Sequence, residues 1–181
     1  MIPSYRTEHT GQPMLDRIQA ALAEAIDAIR RLDARLPALH SLALRSDFTT
    51  TSADAQNTAL EFPVHDGELW LIEGCFPITV DGSANGMKYA IGAPPQSEIT
   101  ALLDSSLTSS TDDTHVQITA VNTLTGAVHT VNGGTRVDHL NGRIKVVGDG
   151  MCTLQVASTT AGNTTTVRAR AWLRATRYRE V

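Results

Sequence analysis

A chain of 181 residues is long enough for one ordinary domain with an appendage, or for two small ones. Apolar residues make up 41% and aromatics 4%, so a core has to be built from Val, Ile, Leu and Ala rather than from rings. The formal charge of -4 excludes the basic field of a general nucleic-acid binder, and no apolar run approaches the roughly eighteen residues of a membrane span.

The opening stretch, MIPSYRTEHTGQP, has no hydrophobic period and carries Pro3, Gly11 and Pro13. Residues 1–13 therefore read as an extended arm that orders against a partner. The arm lacks the apolar centre of a secretory signal, so export by the usual route is not expected. Cys75 and Cys152 have no short-range metal spacing and read as buried thiols rather than a bridge.

A regular series follows. Leu15, Ile18, Leu22, Ala25, Ile29, Leu32, Leu36 and Leu39 recur at gaps alternating between three and four, which is a heptad stripe. The stripe predicts a helix from Met14 to Leu36, with Pro13 in its first turn and Pro37 ending it. Such a helix is roughly 35 Å long. Its many alanines raise helix propensity, and Asp27 can face Arg31 one turn away. Ala21, Ile26 and Ala28 flank the stripe and widen it, favouring three helices over two. The leading expectation is a trimeric coiled coil; the alternative is a helix folded back over its own sheet. The predicted layout is an arm at 1–13, a helical stalk at 14–40 and a β domain at 41–181.

Beyond Pro37 the pattern becomes that of strands. LALRSDF, NTALEFPV, ELWLIEGCFPITV and GMKYAIGA are separated by turn signals at Asp66-Gly67, Asp81-Gly82 and Asn85-Gly86. HVQITAV, GAVHTV, TRVDHL, GRIKVV, MCTLQVAS and TVRARAWLRATRY continue the series. Breaks are expected at Thr125-Gly126, Asn132-Gly133, Asn141-Gly142 and Asp149-Gly150, and residues 105–115 read as a polar loop. In the last segment Val167, Ala169, Ala171 and Leu173 alternate with Arg168, Arg170, Trp172 and Arg174, as on a sheet with one covered face. So many short strands predict a sandwich or closed barrel, and the lack of a second long helix removes the doubly wound folds.

Chemistry is sparse. His65, His115, His129 and His139 stand among Asp66, Asp112, Asp113 and Asp138 without forming a metal-binding motif. There is no GxSxG elbow, no GxGxxG loop and no lysine-ending phosphate loop. Catalytic residues, metal ligands and cofactors are accordingly not expected. Arg168, Arg170, Arg174, Arg177 and Arg179 form a basic run beside Trp172 and Tyr178. Nucleic acid is one reading; a polar face or subunit seam, paired with Glu61 and Glu73, is preferred on the acidic balance. Trp70 reads as core or protomer interface. Trp70, Trp172 and Arg170 are the candidates for interface or ligand contact.

The segment LEFPVHDGELWLIEGCFPITVDGSANGMKYAIGAP, with the closing VRARAWLRATRY, resembles the jelly-roll domain at the ends of tailed-phage appendage proteins. That family is similar in fold to the trimeric TNF/C1q-like jelly roll, and the resemblance spans about residues 42–178. It implies a mainly β fold, a jelly-roll sandwich preceded by one helix. Members serve as virion fibres, decoration proteins or receptor-binding tips, without a catalytic motif. The implied protein is a homotrimeric virion component assembled in the host cytoplasm. Its arm meets other virion proteins, and its β domain is available to a host-surface glycan or protein. The short stalk suits a capsid-decorating or head-fibre place as well as a tail place. A lectin-like module outside any virus, and a glycan-acting enzyme on a β scaffold, are the other readings.

Overall fold

The computed structural model describes residues 12–33, 38–81, 86–106, 114–126 and 135–178. The chain divides into two compact units, Met1–Pro37 and Ala38–Val181. In the first, α1 spans Gln12–Asp33, with Pro13 in the opening turn, where its missing N–H costs nothing. The predicted helix end at Leu36 lies outside the described residues. Leu39, expected to close the helical stripe, instead opens the first strand of the β unit. The stalk boundary therefore moves from residue 40 to Pro37. A proline there cannot continue a helix, and the backbone beyond it is taken up by sheet pairing.

The β unit contains β1 (Leu39–Ala43), β2 (Phe48–Thr50), β3 (Gln56–Val64), β4 (Leu69–Val80), β5 (Met87–Gly92) and β6 (Glu98–Ser106). These are followed by β7 (Thr114–Ile118), β8 (Thr135–Lys145), β9 (Gly150–Ser158), β10 (Thr165–Val167) and β11 (Trp172–Tyr178). The large sheet runs β1-β11-β4-β8-β6-β7, with β10 pairing β2 and β4, and the small sheet runs β3-β9-β5. All pairings are antiparallel. Strands β3, β4, β5 and β6 alternate between the sheets, and β9 and β11 do so again; this is the winding of a jelly-roll sandwich, as predicted.

The core lies between the sheets. β3 turns Leu60, Phe62 and Val64 inward, and β4 turns Trp70, Ile72, Phe76 and Ile78 to meet them. At one end His40, Phe62 and Trp70 form a ring cluster with centroids 5.1 to 5.3 Å apart, joining β1 and β4 to β3 of the other sheet. The free edge of β5 is closed by a loop rather than a strand. Asn122 and Thr125 donate backbone N–H groups to the carbonyls of Ile91 and Tyr89 at 2.9 and 2.7 Å.

Three sequence expectations change. Asn141-Gly142 is not a turn but lies inside β8, where a Cβ on Gly142 would stand 2.6 Å from the Ala101 Cα of β6. Glycine here serves close strand approach. TVRARAWLRATRY is two strands, β10 and β11, separated by a turn. Asp47 fixes that turn by accepting from the Arg168 guanidinium at 3.0 Å and the Ala169 N–H at 2.7 Å. The face parity survives, since Val167, Ala171 and Leu173 are buried. Finally, β6 extends to Ser106 and β7 starts at Thr114, so both ends of the predicted 105–115 loop are strand. The predicted strand GAVHTV falls, past Gly126, outside the described residues.

Candidate functional site

The predicted trimer seam begins with the helix. Leu15 and Ile18 are each 56% exposed, Leu22 is 59% exposed and Ile26 is 41% exposed, and Ala25 is open as well. Ile29 and Leu32 continue α1, though their side chains lie outside the described residues. Leu15, Ile18, Leu22 and Ile26, left in water, each forgo up to about 1.5–3 kcal/mol of burial. No described helix is long and apolar enough to cross a membrane.

The other exposed apolar groups gather on one face of the β unit. Among its described residues five large apolar side chains are exposed, and four of them, Leu39, Leu71, Leu102 and Trp172, lie on the outer face of the large sheet. This explains the near-continuous apolar sequence of β4, whose outer positions include Leu69, Leu71, Cys75 and Pro77. Trp172 is therefore on an open face, as the interface reading requires. Trp70 is not: it is 1% exposed, packed in the ring cluster, and its indole N–H donates to Glu68 at 3.0 Å. Its place is the core, one of the two roles expected of it. Arg170 is exposed, but in the turn before β11 rather than on a strand.

The basic run does not form a free ribbon. Arg168 pairs with Asp47 at 3.0 Å, Arg174 stands 4.0 Å from Glu73, and Arg177 turns to Glu68 at 2.7 Å. The pairing expected from Glu73 is present, whereas Glu61 belongs to β3 in the small sheet. Arg179 lies outside the described residues.

Strand register also sets Trp172, Cys75, His139, Asp104 and His115 in one row across five strands. His115 Nδ1 is 2.5 Å from Asp104 Oδ1. Among the described residues no three His, Cys, Asp or Glu side chains are placed to hold a metal ion. Burial, aided by the Asp138 charge, raises the Cys75 thiol above its ordinary value. His129, Asp112 and Asp113 lie outside the described residues.

A polar cluster inside the sandwich was not anticipated. Asp138 is fully buried and accepts from the Tyr89 hydroxyl at 2.5 Å and the Ser105 hydroxyl at 2.6 Å; Arg136 Nε lies 3.3 Å from the same carboxylate. The cluster joins β5 of the small sheet to β6 and β8 of the large one. Burial raises the Asp138 carboxyl despite the opposing Arg136 charge and the Ser105 and Tyr89 hydrogen bonds. Tyr89 is pushed well up by burial and by that same carboxylate. With all four side chains closed to solvent, the arrangement ties the sheets together rather than meeting a substrate. The available signal was parity in TRVDHL, where Arg136 and Asp138 take the inner positions and Val137 the outer.

At the end of the large sheet where β1 begins, a groove of about 190 Å³ is lined by Leu69, Glu98, Thr100, Arg143, Ile144, Lys145 and Tyr178. Leu69 and Glu98 flank Lys145 in one row, and Leu71 and Thr100 flank Arg143 in the next.

No protein-family model matches the sequence, and no curated protein does. Among solved structures, a chain from "Structure of infectious bursal disease virus Gt strain" is similar at 7% identity with a TM-score of 0.23. The likeness covers 81% of this chain and 38% of that one, and at such a score it carries no argument.

Proposed function

We propose that this chain is a non-enzymatic structural protein of a phage virion, acting as a homotrimer. The exposed stripe on α1 carries the reading, because three parallel copies bury Leu15, Ile18, Leu22 and Ala25 against one another, with Ile26 widening the seam. The same three-fold axis gathers three sandwiches and brings three arms, the residues 1–11 that precede α1, to one attachment site on other virion proteins. Linking strengthens weak arm contacts without any new contact. The β unit then offers its surface to a host glycan or protein. Tail fibre and capsid decoration share this design and differ in where the arms dock. A density map of the particle tells them apart.

The stalk is tested by replacing Leu22 and Ile29 together with Asp and measuring mass by light scattering. The expected result is loss of the trimer, since each carboxylate would have to leave water at the seam. A variant that remains trimeric and equally heat-stable overturns the coiled coil.

A further inference from the structure

The groove at the Tyr178 end of the large sheet departs from the rest of the surface in its charge. Arg143 and Lys145 are two residues apart on β8, so both leave the sheet on its outer face, and both are exposed. Unlike Arg168, Arg174 and Arg177, neither forms an ion pair among the described residues, although Glu98 stands directly across from Lys145. The lining holds two cations and one carboxylate, a formal +1 on a chain of -4. Beside these charges stand the Thr100 hydroxyl, the Tyr178 ring and the Leu69 side chain.

We infer that this groove binds the acidic terminal sugar of a glycan, a single ring bearing one carboxylate or sulfate. The assignment rests on the host-surface role proposed above and names its ligand class. Each group has a use in such a complex. The Arg143 guanidinium offers a planar fork that matches a carboxylate or sulfate through two hydrogen bonds, with Lys145 as a second, point-like charge. Glu98 accepts from ring hydroxyls, and Thr100 both donates and accepts. Tyr178 and Leu69 present apolar surface to the carbon face of the ring. The volume is that of about six water molecules in the liquid, which suits one ring rather than an extended chain. Glu98 also selects by repulsion, because a polyanion would place further negative charge against it. Three grooves on one trimer make a weak monovalent contact effective on a surface that displays many such termini.

The test titrates the intact chain with 3′-sialyllactose, lactose 3′-sulfate and neutral lactose, followed by NMR shifts or calorimetry. The expected result is saturable binding of one or both acidic sugars, weakening with added salt, with lactose at least about tenfold weaker. The carboxylate and sulfate arms show which acid the groove takes. Arg143→Gln is expected to reduce affinity by about tenfold or more, whereas Glu98→Gln keeps selection for the acidic sugar over lactose. Both positions are exposed, so the variants fold. Lactose binding as well as the acidic sugars, an unchanged Arg143→Gln variant, or no saturable binding by any probe overturns the assignment. Light scattering on the same samples separates the two ideas. A trimer that binds none of the sugars removes only the groove, and a monomer that binds them removes only the stalk.

Discussion

Arg170 holds its backbone at φ 74°, in the left-handed region where a side chain costs roughly 1 kcal/mol or more. The turn demands it: the Arg170 N–H reaches the Leu44 carbonyl at 2.9 Å, and the Ala171 N–H closes back on Arg168 at 3.1 Å. Arg170→Gly keeps both hydrogen bonds and removes the strain. It is therefore expected to raise unfolding free energy by about 1 kcal/mol in a urea titration. A destabilised variant would mean that the exposed guanidinium makes a contact worth more than the strain. Glu68 and Asp138 bias stability with opposite signs. Burial pulls the Glu68 carboxyl upward, but hydrogen bonds from Arg177, the His65 N–H and the Trp70 indole together leave it below its ordinary value. Its contribution is thus complete above the unfolded value of 4.5 and lost as pH falls through the folded one. Asp138, raised from 3.8, favours the fold at low pH and loses that contribution as pH rises through its folded value. Glu68→Gln is expected to flatten the acid limb of the stability profile and to lower stability at neutral pH by about 1–3 kcal/mol, because Arg177 loses its anion. Melting curves from acid to neutral pH check both effects, and an acid limb as steep as the parent's would assign the loss to other carboxylates.

Strand β8 shows where local sequence rules stop. Gly142→Ala is expected to destabilise by about 3 kcal/mol, read as a lowered melting temperature, because the new methyl group meets the Ala101 Cβ and the β6 backbone, none of which can swing away. An unchanged melting temperature would show that β6 and β8 can spread at this point. The Asn141-Gly142 pair has the composition of a hairpin turn, and only the neighbouring strand reveals that its glycine serves close approach. Long-range pairing is what a single sequence does not display. Alternation marked β3, where Leu60, Phe62 and Val64 share one face, while apolar runs bounded by turn signals were enough to find β4, β5 and β9. In β6 the inward set is Ile99, Ala101 and Leu103, but the strand continues into Ser105, whose hydroxyl is satisfied by Asp138 from another strand. Polar residues there read as loop. The groove was hidden for the same reason: Tyr178, Lys145 and Glu98 lie far apart in sequence and become neighbours only through the register of β11, β4, β8 and β6. The helical stripe lies within one element and was legible directly. Its end was not, since Leu39 keeps the spacing while belonging to a strand.

For the whole molecule, folding and assembly are linked if three chains share one seam. The melting temperature of the helical unit is then expected to rise with protein concentration, because binding between copies stabilises the folded form by mass action. Circular dichroism at several concentrations checks this, and a melting temperature independent of concentration would point to a helix that needs no partner. The β unit adds a second property through the pairing of its first and last strands. Leu39 opposes Thr176 at the edge of the large sheet, so the point where the chain comes in from the helix adjoins the point where β11 ends. Mechanical tension applied between Ala38 and Tyr178 would then peel the edge strand from its neighbour one bond at a time, starting at the Arg177 N–H to Ala38 carbonyl bond beside the Leu39–Thr176 pair. The stacking of His40 on Phe62, with its tilted contact to Trp70, acts as the first catch against that unzipping.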